Sequence, residues 1–192
     1  HNFNELIDGS IKYLKGRSLK LFPDFQTGGS IDVSNYNDGN RGGRVKVRAT
    51  VEKYDKNTIV IKEIPYGTTT ASLIESIIKA SEKGKVKIKK IEDNTSAEVE
   101  ILVYLPSGSS IQKTIDSLFA FTQCQVSISP LCCIISDNKP QFLGVRDILK
   151  ISTDNTKDLL KKELEIQWDE LENQWHSISL ERIFIENRIY RD

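Results

Sequence analysis

Between Gly42 and Tyr66 the sequence alternates twice around a turn-forming tetrad, a pattern that commits a chain to a β-hairpin. Val45, Val47, Ala49 and Val51 fall on one face of the first segment by the period of two, and Arg44, Lys46 and Arg48 on the other. Asp55-Lys56-Asn57-Thr58 has the residue types of a tight turn, and Ile59-Val60-Ile61-Lys62 returns before Pro65 stops the strand. One face is thus apolar and the other cationic. Successive cations on such a strand stand about 7 Å apart, within side-chain reach of successive phosphates along a nucleic-acid strand. The same residues allow two readings: a phosphate-binding surface, or an exposed antiparallel face that is charged as such faces usually are.

Net charge does not decide between them, because 27 Lys and Arg balance 27 Asp and Glu. The distribution is more informative, with basic residues in excess from Arg41 to Lys90 and acidic ones after Asp154. A length of 192 residues allows one good core with an appendage, or two small domains. No run of 18 apolar residues is present, and His1-Asn-Phe-Asn-Glu lacks the features of a signal peptide, so a soluble, cytosolic chain is expected. The three cysteines, with Cys132 and Cys133 adjacent, have neither a disulfide framework nor metal spacing and read as small core residues. With no Met and no helix stop at Ile-Tyr-Arg-Asp, the chain reads as a piece of a longer protein.

Taken in order, Phe3, Leu6, Ile7, Ile11 and Leu14 predict a packing helix over 4–15, ended by Gly16. The Gly28-Gly29 pair allows close approach of backbone or ligand, but it lacks the Walker spacing. Ser34 to Gly43 is polar and glycine-rich and predicts a mobile loop presenting Arg41. A second helix is predicted over 70–83. Lys85-Val-Lys-Ile-Lys-Lys-Ile91 then reads as a second basic-faced strand, with Lys85, Lys87 and Lys89 outward. A turn at Asp93–Ser96 leads to a strand over 98–105 with Val99, Ile101, Val103 and Leu105 inward, and a helix over 111–122 follows. This order predicts an α+β fold, a mixed or antiparallel sheet with helices on one face and solvent or a ligand on the other.

Residues 125–143 continue as β structure around a turn at Asp137–Pro140, and Arg146 to Lys150 reads as a short helix. From Thr156 the pattern changes: Leu164, Trp168, Leu171, Trp175, Ile178, Ile185 and Ile189 follow a four-three spacing broken only by Arg182. A helix of some 30 residues over 156–190 is predicted, which projects and whose seam needs a returning helix or another protomer. Its other face is acidic, so Trp168 and Trp175 read as packing residues rather than membrane anchors, and His176 as solvated surface. Two segments are therefore expected, 1–150 and 151–192.

Phe22-Pro-Asp-Phe-Gln-Thr-Gly-Gly, Arg41-Gly-Gly-Arg-Val-Lys-Val-Arg-Ala and Ile61-Lys-Glu-Ile-Pro-Tyr resemble, in order, the F-P-D-F-P-T-G-G, G-R-G-K-V-x-x-R-A and I-x-E-I-P-Y boxes of the A subunits of bacterial type IIA DNA topoisomerases. Ala71-Ser-Leu-Ile-Glu, Phe121-Thr-Gln-Cys-Gln and Gly144-Val-Arg-Asp-Ile-Leu resemble three further boxes in the same order, and His1-Asn2 fits the end of P-P-H-N. The resemblance spans essentially the whole chain. It implies a tower domain over 1–150 and the first arm of the coiled coil to the C-gate over 151–192.

In that family the enzyme passes one duplex through a transient double-strand break in another with ATP, and the tower flanks and bends the cleaved gate DNA. The resemblance implies that the catalytic tyrosine, its helper arginine and the isoleucine wedge precede His1. None of Tyr13, Tyr36, Tyr54, Tyr66, Tyr104 or Tyr190 matches the tyrosine's motif. It further implies no metal site here, Mg²⁺ and ATP on the B subunit, and double-stranded DNA as partner. Two A and two B subunits make up the expected assembly, which is cytoplasmic, nucleoid-associated and free of membrane contact. The DNA-binding residues expected on this basis and on the basic faces are Arg41, Arg44, Lys46, Arg48, Lys62, Lys85, Lys87 and Lys89.

Asn40 and Gly43 depart from the G-R-G-K box, and Asn94-Thr-Ser-Ala lacks the family's arginine-glycine after the acidic turn. Ser127-Ile-Ser-Pro-Leu-Cys-Cys and Trp175-His-Ser resemble the topoisomerase IV branch more than the gyrase branch. From a different class, the same chain reads as a non-enzymatic scaffold whose coiled coil dimerises. A self-contained enzyme is disfavoured, since no nucleophile-base pair or metal-ligand cluster is legible.

Overall fold

The structure, a computed structural model, describes residues 1–136 and 138–191. The chain divides into two compact units, His1–Arg146 and Asp147–Asp192. The first opens with α1 (Phe3–Leu14), whose N-terminus is capped by Asn2, its side chain accepting the Asn4 N–H at 2.9 Å. Nine strands follow among the described residues, β1 (Ser30–Asp32), β2 (Val45–Arg48), β3 (Thr50–Asp55), β4 (Thr58–Glu63), β5 (Lys90–Asp93), β6 (Ile101–Tyr104), β7 (Gln125–Ile128), β8 (Cys133–Ser136) and β9 (Lys139–Phe142). Helix α2 (Thr70–Glu82) lies between β4 and β5, α3 (Ile111–Phe121) between β6 and β7, and α4 (Val145–Glu186) closes the order before a 3-10 turn at Ile189–Arg191.

The fold is α+β with antiparallel pairing throughout the described strands. They form a three-stranded sheet β1-β2-β7, a four-stranded sheet β3-β4-β6-β5 and the β8-β9 hairpin. The tip of that hairpin expected at Asp137–Pro140 begins on Asp137, outside the described residues. Helices α2 and α3 cover one face of the four-stranded sheet. Leu73, Ile77 and Ala80 of α2 and Leu118 of α3 close over Ile59, Ile61, Ile101 and Val103 in a single buried cluster. Each large aliphatic side chain sealed there contributes on the order of 1.5–3 kcal/mol.

The opposite face is not the open basic surface the alternation suggested. Glu52, Val60, Leu102 and Glu92 stand in one row across β3, β4, β6 and β5. Val60 and Leu102 in the middle of that row are buried. Polar pairs flank them: Lys62 Nζ to Glu52 Oε2 at 2.7 Å, the Tyr104 hydroxyl donating to Glu92 Oε2 at 2.7 Å, and Lys90 against Glu92.

The predicted hairpin from Val45 to Lys62 is two structures. Alternation holds through Ala49, and Val45, Val47 and Ala49 are buried. At Ala49, however, the chain changes sheets. Its first half pairs with β1 and β7, and the Ala49 N–H donates to the Cys124 carbonyl at 2.8 Å, while its second half turns back at Lys56-Asn57 onto β4. A register shift between Thr50 and Val51 marks the transfer.

Two resemblance boxes meet at this joint. Glu63 Oε2 accepts the Gly29 N–H at 2.7 Å and the Thr50 hydroxyl at 2.5 Å, and the Phe25 and Tyr66 rings stack at 4.6 Å. Gly29 has φ of 83°, and a Cβ there would strike the Arg48 carbonyl. Gly29 therefore serves a backbone-to-backbone approach, while Gly28 leaves room for the Glu63 carboxylate.

Other expectations are corrected by competing local chemistry. Lys85–Lys89 is not a strand; β5 starts only at Lys90. Gly84 at φ 68° ends α2 and turns the Lys85 N–H back onto the Ala80 carbonyl at 2.9 Å, a helix-capping bond that takes the donor a ladder would need. The predicted strand over 98–105 is regular only over Ile101–Tyr104. Of the cysteines, only Cys124 is buried; Cys132 is half-buried and Cys133 exposed. The short helix at Arg146 and the long one from Thr156 are one uninterrupted α4 of 42 residues, about 63 Å at helical rise. It ends before Arg188, whose φ is 53°.

Hydrogen bonding at the joint holds the Glu63 carboxyl below its ordinary value of 4.5, with the Thr50 hydroxyl the larger cause and the Gly29 amide the second. A depressed native value gives stability that is complete above the unfolded-state value and is lost as pH falls through the native one. Between about pH 5 and pH 3, the urea midpoint of the native chain is therefore expected to fall more than that of Glu63→Gln. Parallel declines of the two midpoints would refute the linkage.

Candidate nucleic-acid interface

The cations of β2 owe their position to the buried valines between them. Because Val45 and Val47 point inward, Lys46 and Arg48 must point outward, and Arg44 immediately precedes the strand on the same alternation. Neighbouring strands supply small polar groups: Lys46 pairs in register with Asp32 and Ser127, and Arg48 with Ser30 and Gln125. Arg48 is fixed in orientation, its Nε donating to Gln125 Oε1 at 2.7 Å and its guanidinium lying 5.2 Å from the centre of the Phe119 ring.

Asp32 is the carboxylate in register on this face. The Ser34 hydroxyl and amide hold its carboxyl below the usual range, with smaller help from Lys46 and Arg48, so it stays ionised. Arg44 and Lys46 make no salt bridge among the described residues. The surface is thus positive on balance, with hydroxyl and amide donors between the charges.

Arg41 reaches this region through the Ser34–Gly43 loop, which is laced by successive turns rather than open. Tyr36 N–H donates to the Val33 carbonyl, Asn40 N–H to Asn37, Gly43 N–H to Asn40 and Arg44 N–H to Asn35, all at 2.8–3.2 Å. Asn37 Nδ2 donates to the Arg41 carbonyl at 3.4 Å, and that residue remains exposed. The far end of the loop is tied to the start of α4, where Arg146 Nε meets Asp38 Oδ2 at 2.9 Å and Val145 N–H donates to the Asp38 carbonyl at 2.8 Å. Tyr36 below it has its phenol pushed up to about 12, chiefly by burial and then by the Asp38 charge.

The other expected cations lie elsewhere. Lys62 belongs to the four-stranded sheet and is held by Glu52; that hydrogen bond, reinforced by the Glu52, Glu100 and Glu98 charges, raises its pKa. Lys85 Nζ lies 5.4 Å from the centre of the Phe121 ring. Phe119 and Phe121 are two residues apart on α3, about 200° around the helix, so Arg48 and Lys85 sit on opposite sides of α3. Lys87 flanks Lys85 on one groove, and the Lys89 N–H extends the β5-β6 ladder by donating to the Tyr104 carbonyl at 2.7 Å.

Arg44, Lys46 and Arg48 therefore form one group, preceded in the chain by the exposed Arg41, and Lys85 with Lys87 another, while Lys62 joins neither. Sequence reading missed Gln125, Asp38 and Lys113. The four-residue spacing of Lys113, Ser117 and Phe121 is the signal that would have marked a second face on α3. No three His, Cys, Asp or Glu side chains converge as a metal site among the described residues, and no described helix is long and apolar enough to cross a membrane.

Comparison with known proteins places these observations in a family context. The family model for the A subunit of DNA gyrase/topoisomerase IV matches residues 1–190. The chain is similar to the DNA topoisomerase 4 A subunit of Borreliella burgdorferi, with 41% identity over 96% of this chain and 29% of that protein. It is also similar to the DNA gyrase A subunits of Brachyspira hyodysenteriae, with 24% identity over 92% of this chain and 23% of that protein, and of Lawsonia intracellularis, with 28% identity over 92% and 24%. The chain thus spans less than a third of the length of the curated relatives it matches.

Proposed function

The chain belongs to the family of DNA gyrase and topoisomerase IV A subunits, and from that premise we propose that it is a DNA-flanking piece of the A subunit of a type II DNA topoisomerase, of the topoisomerase IV branch. It lines and helps bend the gate duplex while residues outside it cut that duplex. The observation that carries this reading is the β2 face, where Arg44, Lys46 and Arg48 alternate with buried valines and meet a single in-register carboxylate, Asp32. Such a row neutralises backbone phosphates without reading bases, as a protein that must accept any sequence requires. The higher identity to a topoisomerase 4 protein than to the gyrase proteins supports the branch.

In this reading the assembly contains two A and two B subunits, works in the bacterial cytoplasm on the nucleoid, and holds Mg²⁺ and ATP on the B subunit. The α4 seam is the first arm of a coiled coil. Trp168 is 71% exposed, Leu171 64% and Trp175 70%, a stripe that costs free energy until another helix covers it.

Three outcomes are expected. The purified 192-residue chain neither cleaves nor relaxes supercoiled DNA, with or without Mg²⁺ and ATP; relaxation that survives repurification would refute the assignment of the nucleophile to residues outside it. In the full-length complex of A and B subunits, Arg44→Ala with Lys46→Ala lowers the log-log salt slope of DNA affinity by about two and leaves sequence preference unchanged. Lys62→Ala, whose charge Glu52 already occupies, leaves the slope where it was. An unchanged slope in the double variant would leave β2 as a solvated face without DNA. Finally, Trp168 and Trp175 in the dilute 192-residue chain emit as solvent-exposed indoles and are readily quenched by acrylamide, whereas in the full-length protein they are protected. Equal quenching in both would argue that no helix covers the seam.

A further inference from the structure

Two helix-capping turns face each other beside α3. The Gly84 cap turns Lys85 and Lys87 out from the end of α2, and Pro106-Ser-Gly-Ser-Ser110 leads into α3 with Ser110 as its N-cap. Between them lies a groove of about 460 Å³ lined by Lys85, Lys87 and Lys113 together with Ser107, Ser109 and Ser117. No Asp or Glu lines it, and none of the three ammonium groups makes a salt bridge among the described residues. The nearest acid on α3, Asp116, accepts from Gln112 Nε2 at 3.3 Å.

Two of the lysines are placed by α3. Lys113, Ser117 and Phe121 recur every four residues on one face of α3, and Lys85 Nζ lies over the Phe121 ring at 5.4 Å. The Ser117 hydroxyl donates to the Lys113 carbonyl at 2.8 Å, but those of Ser107 and Ser109 donate to no protein acceptor among the described residues. Three uncompensated point charges and two uncommitted hydroxyl donors suit a tetrahedral anion with several oxygens better than a planar carboxylate, for which a guanidinium fork is the better match.

We infer that this groove binds a phosphate group, either free phosphate or a backbone phosphate of nucleic acid. It lies on the side of α3 away from Arg48, so it is a site separate from the β2 face and does not depend on that face contacting DNA.

The test is ¹H–¹⁵N NMR of the 192-residue chain titrated with inorganic phosphate and, separately, with a short DNA duplex, chloride keeping ionic strength constant. Saturable shifts are expected at the amides of Lys85–Lys87 and Ser107–Ser110. They disappear in Lys85→Ala with Lys113→Ala, return in Lys85→Arg with Lys113→Arg, and persist in Arg44→Ala with Lys46→Ala. Both lysines are exposed, so the spectrum elsewhere reports an intact fold. Saturation by phosphate, alone or at least as tightly as by the duplex, identifies free phosphate; saturation by the duplex, alone or more tightly than by phosphate, identifies the nucleic-acid backbone. Shifts that chloride reproduces, or the absence of saturation with both ligands, overturn the proposal.

Discussion

Everything in the first unit depends on how one continuous stretch of chain serves two sheets. Val45–Arg48 and Thr50–Asp55 are separated by a single residue, yet they pair with different neighbours. Such a transfer leaves backbone donors and acceptors exposed unless something occupies them, and buried orphans are costly. Here Ala49 N–H finds Cys124, and Glu63 accepts from both Gly29 and Thr50 across the gap. Gly29 completes the joint because any side chain there would collide with the Arg48 carbonyl. The joint also fixes the basic face, since Arg48 is the last residue of β2 before the transfer.

Much of this was legible because period and composition act locally. The inward valines of β2, the turn at Asp55–Thr58, the bounds of all three shorter helices to within a residue or two, and the exposed apolar stripe of the long helix follow from side-chain spacing alone, whereas the packing expected of α1 does not hold, its Phe3, Ile7, Ile11 and Leu14 being exposed. What was not legible depended on partners distant in sequence. Alternation through Ala49 is the same whether a strand stays in one sheet or changes sheets, so residues 45–62 read as one hairpin. At Lys85–Lys89 a correct alternation met a stronger local demand, the capping of α2 at Gly84. At Arg146 the missing information was continuity, because the polar stretch Ser152–Lys157 interrupts the apolar pattern without a helix breaker.

Charge sorting explains how a chain with equal numbers of acids and bases can still present a positive face. Lys62 is taken by Glu52, Lys79 by Glu75, Lys90 by Glu92, Lys150 by Asp147, Lys161 by Glu165 and Arg182 by Glu186. Exposed pairs of this kind add little stability, commonly less than about 1 kcal/mol each. Their larger effect is to remove cations from the field seen by a polyanion. Sequence alone groups Lys62 with the β2 cations for want of its partner, which lies ten residues away in the chain and diagonally across the β3-β4 pair.

Within the β2 group the charges are not equivalent. Arg44 and Lys46 are tethered only by their own stems, and holding either against a phosphate costs rotamer entropy of up to about 2 kcal/mol. Arg48 has met most of that cost in the folded protein, because Gln125 and the Phe119 ring already fix its guanidinium. The same contacts occupy one of its five donors and leave the others for a ligand. In the proposed reading, a surface with one fixed and two less constrained cations holds a backbone in register at Arg48 while Arg44 and Lys46 adjust to the curvature of the duplex. A rigid row of three would match only one curvature of the phosphate path.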